Sequence, residues 1–253
     1  MDKEIITQNF SKYAHLYDKY ASVQKKTAQR LLNRMPSASF SRILELGSGT
    51  GNFTFLLRKK FADAEIKAVD ISDKMVEFAS KRARDKKIKF IHADAENLNL
   101  RERFDLITSN ACFHWFDDLE RALKIYKKYL KNDGAIVFTA FGPETFFELN
   151  VALGETLKGI STQASKFVAK DKLERLLNSE FNQVDLREVK YKESFTSLSG
   201  LLRKIKYSGI RGGTPENKVS FSRRMLKDIE QIYLARFGRI KATYQVFFCV
   251  VHK

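Results

Sequence analysis

The chain has 253 residues, 43% hydrophobic and 12% aromatic, which suits a globular protein with one large core and excludes a disordered or fibrous chain. Its 46 lysines and arginines outnumber 30 aspartates and glutamates, and the charge of +16 favours a polyanionic partner unless it only reflects lysine-rich, solvated helix faces. No apolar run approaches the roughly 18 residues of a membrane span, and Met1-Asp2-Lys3-Glu4 does not open a signal peptide. Two cysteines and four scattered histidines offer neither a disulfide framework nor metal-ligand spacing, so a cytoplasmic monomer without metal or membrane association is expected.

Phe10, Tyr13, Ala14, Tyr17, Ala21, Ala28, Leu31 and Leu32 recur at helical spacing and predict one or two amphipathic helices over 7–34, closed by Pro36. Residues 1–36 are read as N-terminal lid helices. Strands follow near 42–46, 66–70, 88–92, 104–109 and 134–140, with helices near 51–61, 73–84 and 119–131. This alternation predicts a doubly wound parallel α/β sheet, with 37–143 as the cofactor-binding core and ligands above the carboxyl edge. Asn132-Asp133-Gly134 is a turn signal ahead of the fifth strand. Residues 144–180 read as helical, 182–191 as a sixth strand, and 195–240 as a helical insertion capping the site. Tyr244–His252 holds a continuous apolar run and reads as an interior strand. The chain 1–253 is expected to be one domain.

The most informative stretch is Ile43-Leu44-Glu45-Leu46-Gly47-Ser48-Gly49-Thr50-Gly51, a strand running into three glycines. Glycine reaches positive φ and lets backbone amides approach a ligand. Asp70 ends the second strand, where a carboxylate can accept from the two hydroxyls of a ribose. A dinucleotide site calls for G-x-G-x-x-G opening a helix onto a pyrophosphate. Here the spacing is G-x-G-x-G, and Glu45 repels a phosphate but favours a ligand that carries a sulfonium and an ammonium. NAD binding and an accidental glycine loop are the alternatives. Ile71 and Met75 extend the cofactor wall past Asp70. Asp94 is placed to accept from an adenine amino group while the Ala95 amide donates to a ring nitrogen; a helix-capping role is the alternative for Asp94. At the end of the fourth strand Asn110 is read as a cofactor contact, and Trp115 as a substrate contact or a core anchor. Cys112 lies near them and is read as packing, not as a nucleophile.

The E-x-G-x-G-x-G form with its acidic second strand resembles motif I of the class I methyltransferases. That resemblance implies a Rossmann-like fold with a seven-stranded, mostly parallel sheet whose last strand enters antiparallel between the fifth and sixth. It also implies S-adenosyl-L-methionine as cofactor and S-adenosyl-L-homocysteine as product. Four stretches are similar to one family in particular, the malonyl-[acyl-carrier protein] O-methyltransferases of biotin synthesis. They are Phe10-x-x-Tyr13-Ala14-x-x-Tyr17-Asp18 with Ala21-x-x-Gln24, Phe138-Thr139-Ala140-Phe141-Gly142-Pro143-Glu144-Thr145-Phe146-x-Glu148-Leu149, Leu202-Arg203-Lys204-Ile205-Lys206-x-x-Gly209, and Thr243-Tyr244-Gln245-Val246. Ser48 stands where that family commonly has cysteine, which leaves the backbone cradle intact.

The resemblance implies methylation of the free carboxylate of a malonyl thioester, on an acidic acyl-carrier protein or on coenzyme A. Such a carboxylate ionises near a pKa of about 4, so it needs no general base at neutral pH. It does need positioning, desolvation and a cation, for which Arg203 is the first candidate and Lys206 the second. Tyr17 and Gln24 are expected to close over cofactor or substrate, with helix packing the alternative for Tyr17. Three other readings remain open: methylation of another small acid or a quinone-type carbon, RNA methylation, and S-adenosylmethionine binding without catalysis. No separate RNA-binding module or Asn/Asp-Pro-Pro-Tyr/Phe motif accompanies the basic charge, so stable nucleic-acid binding is not expected.

Overall fold

The computed structural model describes residues 2–157, 159–209 and 221–253. The described residues form nine α-helices and one seven-stranded sheet. In chain order these are α1 (Lys3–Tyr20), α2 (Ser22–Asn33), β1 (Arg42–Leu46), α3 (Asn52–Lys60), β2 (Glu65–Asp70), α4 (Asp73–Arg82), β3 (Ile88–His92) and β4 (Phe104–Asn110). There follow α5 (Leu119–Tyr129), β5 (Leu130–Phe141), α6 (Phe147–Thr156), α7 (Lys170–Glu180), β6 (Gln183–Phe195), α8 (Leu198–Tyr207), α9 (Arg223–Phe237) and β7 (Ile240–His252). The strands are ordered β3-β2-β1-β4-β5-β7-β6. The first five run parallel, and β7 is antiparallel to both β5 and β6.

Side chains alternate across a strand, so a sheet covered on both faces needs apolar residues at successive positions. Ile43, Leu106 and Val137 face one core, which α2, α3, α6, α8 and α9 cover. Their neighbours Leu44, Ile107 and Ile136 face the other, beneath α5 and α7. Parallel β1, β2 and β4 therefore end side by side at one edge, and Gly47, Asp70 and Asn110 stand there together. Capping fixes where the flanking helices begin: Ser72 Oγ accepts from the Met75 amide at 3.1 Å and Asp118 Oδ1 from the Arg121 amide at 2.9 Å. Among the described residues no helix is long and apolar enough to cross a membrane.

The elements depart from the sequence expectation in three places. The turn signal Asn132-Asp133-Gly134 lies inside β5, as a bulge: Phe104 pairs with Leu130 and Leu106 with Ala135, so the chain loops out between two ladder positions. The span 144–180 is not one helical run, because after α6 Gly159 takes a φ of +78° and a 3₁₀ turn at Gln163–Lys166 precedes α7. Ser161 and Thr162, poor helix formers, follow that glycine. Strand β6 also runs on to Phe195, opposite Ile240, so the insertion between the last two strands starts later than 195.

Within that insertion α8 is tied down by a buried charge pair. Lys204 Nζ lies 2.5 Å from Glu193 Oε2 of β6, and Ser22 Oγ at the start of α2 donates to Glu193 Oε1 at 2.5 Å. Both side chains are largely shielded, so removing one partner strands the other in low dielectric. Lys204→Ala is expected to cost about 3 kcal/mol of stability in urea unfolding, whereas Lys204→Met/Glu193→Leu recovers most of it.

Candidate active site

Strand ends and one helix build the site. Past Leu46 the chain turns at Gly47, φ +74°, so that the Gly47 and Ser48 amides donate to the Val69 carbonyl at 2.8 and 3.0 Å. A β-carbon on Gly47 would stand 2.5 Å from Cβ of Cys112, so only glycine lets these two strand ends close. Gly49 differs: a β-carbon there would meet only Tyr17 Cε1, at an ordinary contact distance of 3.9 Å, but its φ of +52° still favours glycine. Across the gap Ala111 takes a positive φ of 58°, a conformation rare outside glycine, and its amide donates to Thr139 Oγ1 at 2.9 Å. That turn carries Cys112 against the glycine loop.

Asp70 is fastened at the centre. Its Oδ2 accepts from the Gly49 amide at 2.7 Å and its Oδ1 from the Ser72 amide at 2.9 Å. A carboxylate has about four acceptor positions, so roughly two remain for hydroxyls of a ligand. Desolvation raises its pKa while these amides work against the rise.

A cavity with about 700 Å³ of empty space, part of it open to solvent, lies over this edge. Tyr17, Gly47, Gly49, Asp70, Ile71, Met75, Asp94, Ala95, Asn110 and Trp115 line it. A second cavity of about 370 Å³ lies against the glycine loop, with Gln24 on its wall. Tyr17, Gly47, Gly49 and Asn110 belong to both, so the two cavities adjoin at these residues and are taken together as one trough with its bend there. Asn110 is locked by three contacts: its Oδ1 accepts from Thr27 at 2.8 Å and Thr139 at 3.0 Å, and its Nδ2 donates to the Gln24 carbonyl at 3.0 Å. One amide N–H is left for a ligand.

Four expected site residues are elsewhere. Gly51 lines neither cavity; with φ +83° it caps α3, and a β-carbon there would crowd Phe55 and Phe90. Glu45 is buried beneath the loop, not on a cavity wall, and neither of its oxygens makes a hydrogen bond among the described residues. Burial, partly offset by neighbouring Thr54, pushes its carboxyl up to about 8. Arg203 is exposed on the outer face of α8, because Leu198, Leu201, Lys204 and Ile205 set the inward face and position 203 falls opposite. Lys206 is also outside both cavities, over the rings of Tyr13 and Tyr207. Arg211, a further basic residue of the insertion, lies outside the described residues.

Sequence reasoning placed a lid at 1–36 and named Tyr17, but it missed Lys3, Ile6 and Phe10 as site residues. Lys3, Ile6, Phe10 and Tyr17 of α1 all line the larger cavity. Their spacing of three, four and seven places them on one helical face, a signal the sequence does contain. Lys3 Nζ lies 2.7 Å from both Asp94 Oδ2 and Glu96 Oε2. Burial alone would raise the Asp94 carboxyl, but Lys3, the Glu96 amide and Asn97 hold it below its usual range. At the other end of α1, Asp18 accepts from Thr50 at 2.5 Å, Asn52 at 2.6 Å and Arg82 at 3.1 Å.

The trough fits an adenosyl ligand better than a pyrophosphate. Asp70 and Asp94 offer acceptors for hydroxyls and an amine, beside the apolar Ile71, Met75 and Ala95. The only cation on the larger cavity's wall among the described residues, Lys3, is already held by two carboxylates. Among the described residues no cluster of three His, Cys, Asp or Glu side chains is arranged to hold a metal.

Comparison with known proteins agrees. The profile of the methyltransferase domain family matches residues 44–138. The fold resembles that of the YcgJ protein of Bacillus subtilis, with a TM-score of 0.60 and 15% identity over 90% of this chain and 98% of that one. It also resembles phosphoethanolamine N-methyltransferase 2 of Haemonchus contortus bound to S-adenosyl-L-methionine, with a TM-score of 0.61 and 17% identity over 97% of this chain and 58% of that one. Fold, trough and profile together define a class I methyltransferase that uses S-adenosylmethionine. Malonyl-[acyl-carrier protein] O-methyltransferase 1 of Ilyobacter polytropus is 36% identical over 100% of this chain and 96% of its own length. The corresponding Bacillus cereus enzyme is 34% identical over 100% of this chain and 98% of its own length. The chain belongs to this family of malonyl-[acyl-carrier protein] O-methyltransferases.

Two predictions test the site. Asp70→Ala removes charge-assisted contacts that are each worth about 1.5–3 kcal/mol, so calorimetry should show S-adenosylmethionine binding weakened about ten- to a hundredfold or more. Gly49→Val, whose side chain enters the trough, should abolish binding in the same calorimetry, and the strain of a β-branched residue at a φ of +52° should also lower Tm. The second concerns Glu45. An unfolded chain ionises it above the ordinary 4.5, whereas the folded protein keeps the proton to about 8, so stability should fall as pH climbs through that window. Glu45→Gln should flatten that part of the fall, measured as Tm at pH 5 and pH 8.

Proposed function

We propose that this protein methylates the free carboxylate of a malonyl thioester, the reaction by which its relatives are named and one that their resemblance links to biotin synthesis. The observation that carries the reading is the bend in the trough, where Tyr17 and Asn110 meet the glycine loop. In this reading the adenosine lies along Asp70, Ile71, Met75, Asp94 and Ala95, and the methionine end lies towards Gln24. The bound cofactor supplies an electrophilic methyl on its sulfonium. A carboxylate oxygen forms the new O–CH₃ bond as the S–CH₃ bond breaks, giving a methyl ester and S-adenosylhomocysteine.

The chain's own task is to hold and dry the carboxylate. Desolvation, reinforced by nearby Asp70 and Asp18, raises the Tyr17 pKa, so the phenol keeps its proton and donates to the anion. A neutral donor orients the oxygen without quenching it as a nucleophile. Phe10 and Trp115, whose rings meet edge to face 6.1 Å apart, supply an apolar wall that excludes water. Arg203 is released from the role of anion reader because it faces solvent. The helices α1 and α2 act as the cover over the bound cofactor, and a carrier protein delivers the acyl group.

The test is incubation with labelled S-adenosylmethionine and either malonyl or acetyl carrier protein, followed by intact mass. A methyl addition to the malonyl form alone is the expected result; labelling of neither, by a protein that binds the cofactor, would overturn the reading. Tyr17→Phe should lower kcat/KM for the malonyl substrate about tenfold or more, the usual loss for a hydrogen bond to a charge, with cofactor affinity little changed. Arg203→Ala should stay within about twofold of wild type, as expected for an exposed side chain away from the reacting atoms.

A further inference from the structure

On the solvent side of the seam between α1 and α8, three lysines are interleaved with three tyrosines. Lys12 Nζ sits 5.8 Å from the Tyr13 ring centre, and Lys206 Nζ sits 5.5 Å from Tyr13 and 5.4 Å from Tyr207. Lys19 Nζ is 5.9 Å from Tyr20, and the rings of Tyr13 and Tyr20 each lie 5.0 Å from that of Tyr207. The cluster is therefore contiguous. Some other surface lysines, Lys81, Lys124 and Lys190 among them, are paired with Glu77, Glu120 and Glu144. Among the described residues, Lys12, Lys19 and Lys206 have only ring faces as partners. A cation over a phenol ring is held in place without losing its charge, so the three ammonium groups form an uncompensated positive patch.

Its position matters as much as its charge. The helix that carries Lys12 and Lys19 outward presents Phe10 and Tyr17 inward to the trough. Gly209, two residues past Tyr207, packs so closely on Phe10 that a β-carbon there would stand 2.0 Å from the ring. The patch thus sits directly outside the wall of the reaction site.

We infer that Lys12, Lys19 and Lys206 on their tyrosine platform form the docking surface for the acidic face of the carrier protein, whose acyl arm enters beside the α1–α8 seam. This rests on the proposed reaction. Charge complementarity supports that occupant: three ammonium groups without carboxylate partners suit an acidic protein face, and the screened attraction steers encounter at low salt.

The test compares wild type with Lys12→Glu/Lys19→Glu, each confirmed as folded by circular dichroism. KM for malonyl carrier protein should rise about tenfold or more, while KM for a malonyl-pantetheine fragment and the affinity for S-adenosylmethionine stay unchanged. The milder Lys12→Gln/Lys19→Gln should give a smaller shift in the same direction. Fluorescence anisotropy of labelled malonyl carrier protein, titrated at low and high salt, reads docking without turnover and should show the same order of affinities. Unchanged anisotropy and KM in the glutamate variant overturn the docking surface and leave the reaction standing. Docking lost in the variant, with no methylation of either substrate by wild type, upholds the surface and overturns the reaction. Loss of affinity for a short RNA with carrier-protein binding intact would assign the patch to nucleic acid instead and sink the proposal.

Discussion

Everything at the carboxyl edge depends on one close approach: the glycine loop after β1 lies against the turn after β4, with no atom between Gly47 and Cys112. Any β-carbon at 47 would collide with the cysteine. The chain can come this near only because Gly47 and Ala111 both take positive φ, one at no steric cost and the other held by Thr139. From that contact the rest follows. With the loop fixed, the Gly49 amide reaches Asp70, Asp70 fixes Ser72, and Ser72 caps α4. A bond between side chain and backbone thus passes from the first strand to the second and on to the helix that places Met75 on the wall.

The cover is fastened differently from the floor. Strand ends are joined by backbone hydrogen bonds and buried apolar packing; α1 packs Ile6 and Phe10 into the core and adds charged contacts at its two ends. Lys3 spans Asp94 and Glu96, and Asp18 gathers Thr50, Asn52 and Arg82. Partly exposed ion pairs contribute little to stability. Contacts of that strength can be exchanged for ligand contacts without unfolding the sheet. Lys3 occupies the very carboxylate that the adenine amine would use, so cover and cofactor share a partner at that end.

The core was legible because each central strand is apolar at successive positions, which only a sheet buried on both faces requires. The glycine loop and Asp70 were legible for a related reason: their chemistry is carried by residue types that have few other uses at a strand end. What stayed hidden depends on direction or on a local competition. Arg203 reads as an anion binder by type, yet helical periodicity turns it to solvent; the spacing of Leu198, Leu201 and Ile205 holds that information, but only once the helix is known to dock by that face. Lys3 shares a helical face with Ile6, Phe10 and Tyr17, but that its charge meets Asp94 and Glu96 could not be read, because those partners lie far along the chain. The β5 bulge escaped because an Asn-Asp-Gly turn looks the same whether it precedes a strand or interrupts one.

Three buried titratable groups near the glycine loop and its neighbouring turn share one property. Desolvation raises the Tyr17 phenol and the Cys112 thiol, and lowers the His114 imidazole to about 3. Each is thereby kept in its neutral form at physiological pH. His114 accepts from the Phe141 amide at 3.3 Å and packs among Trp115, Phe141 and Phe167, so it is a core residue and not a base in waiting. A nucleophile that must lose a proton would be poorly served here. One that arrives already ionised needs only a donor such as the neutral Tyr17 phenol to hold it. Low dielectric makes each donor count for more, and the developing ester sheds that charge as the methyl arrives. A substrate that arrives already ionised, as in the proposed reaction, asks none of these three groups for a proton transfer.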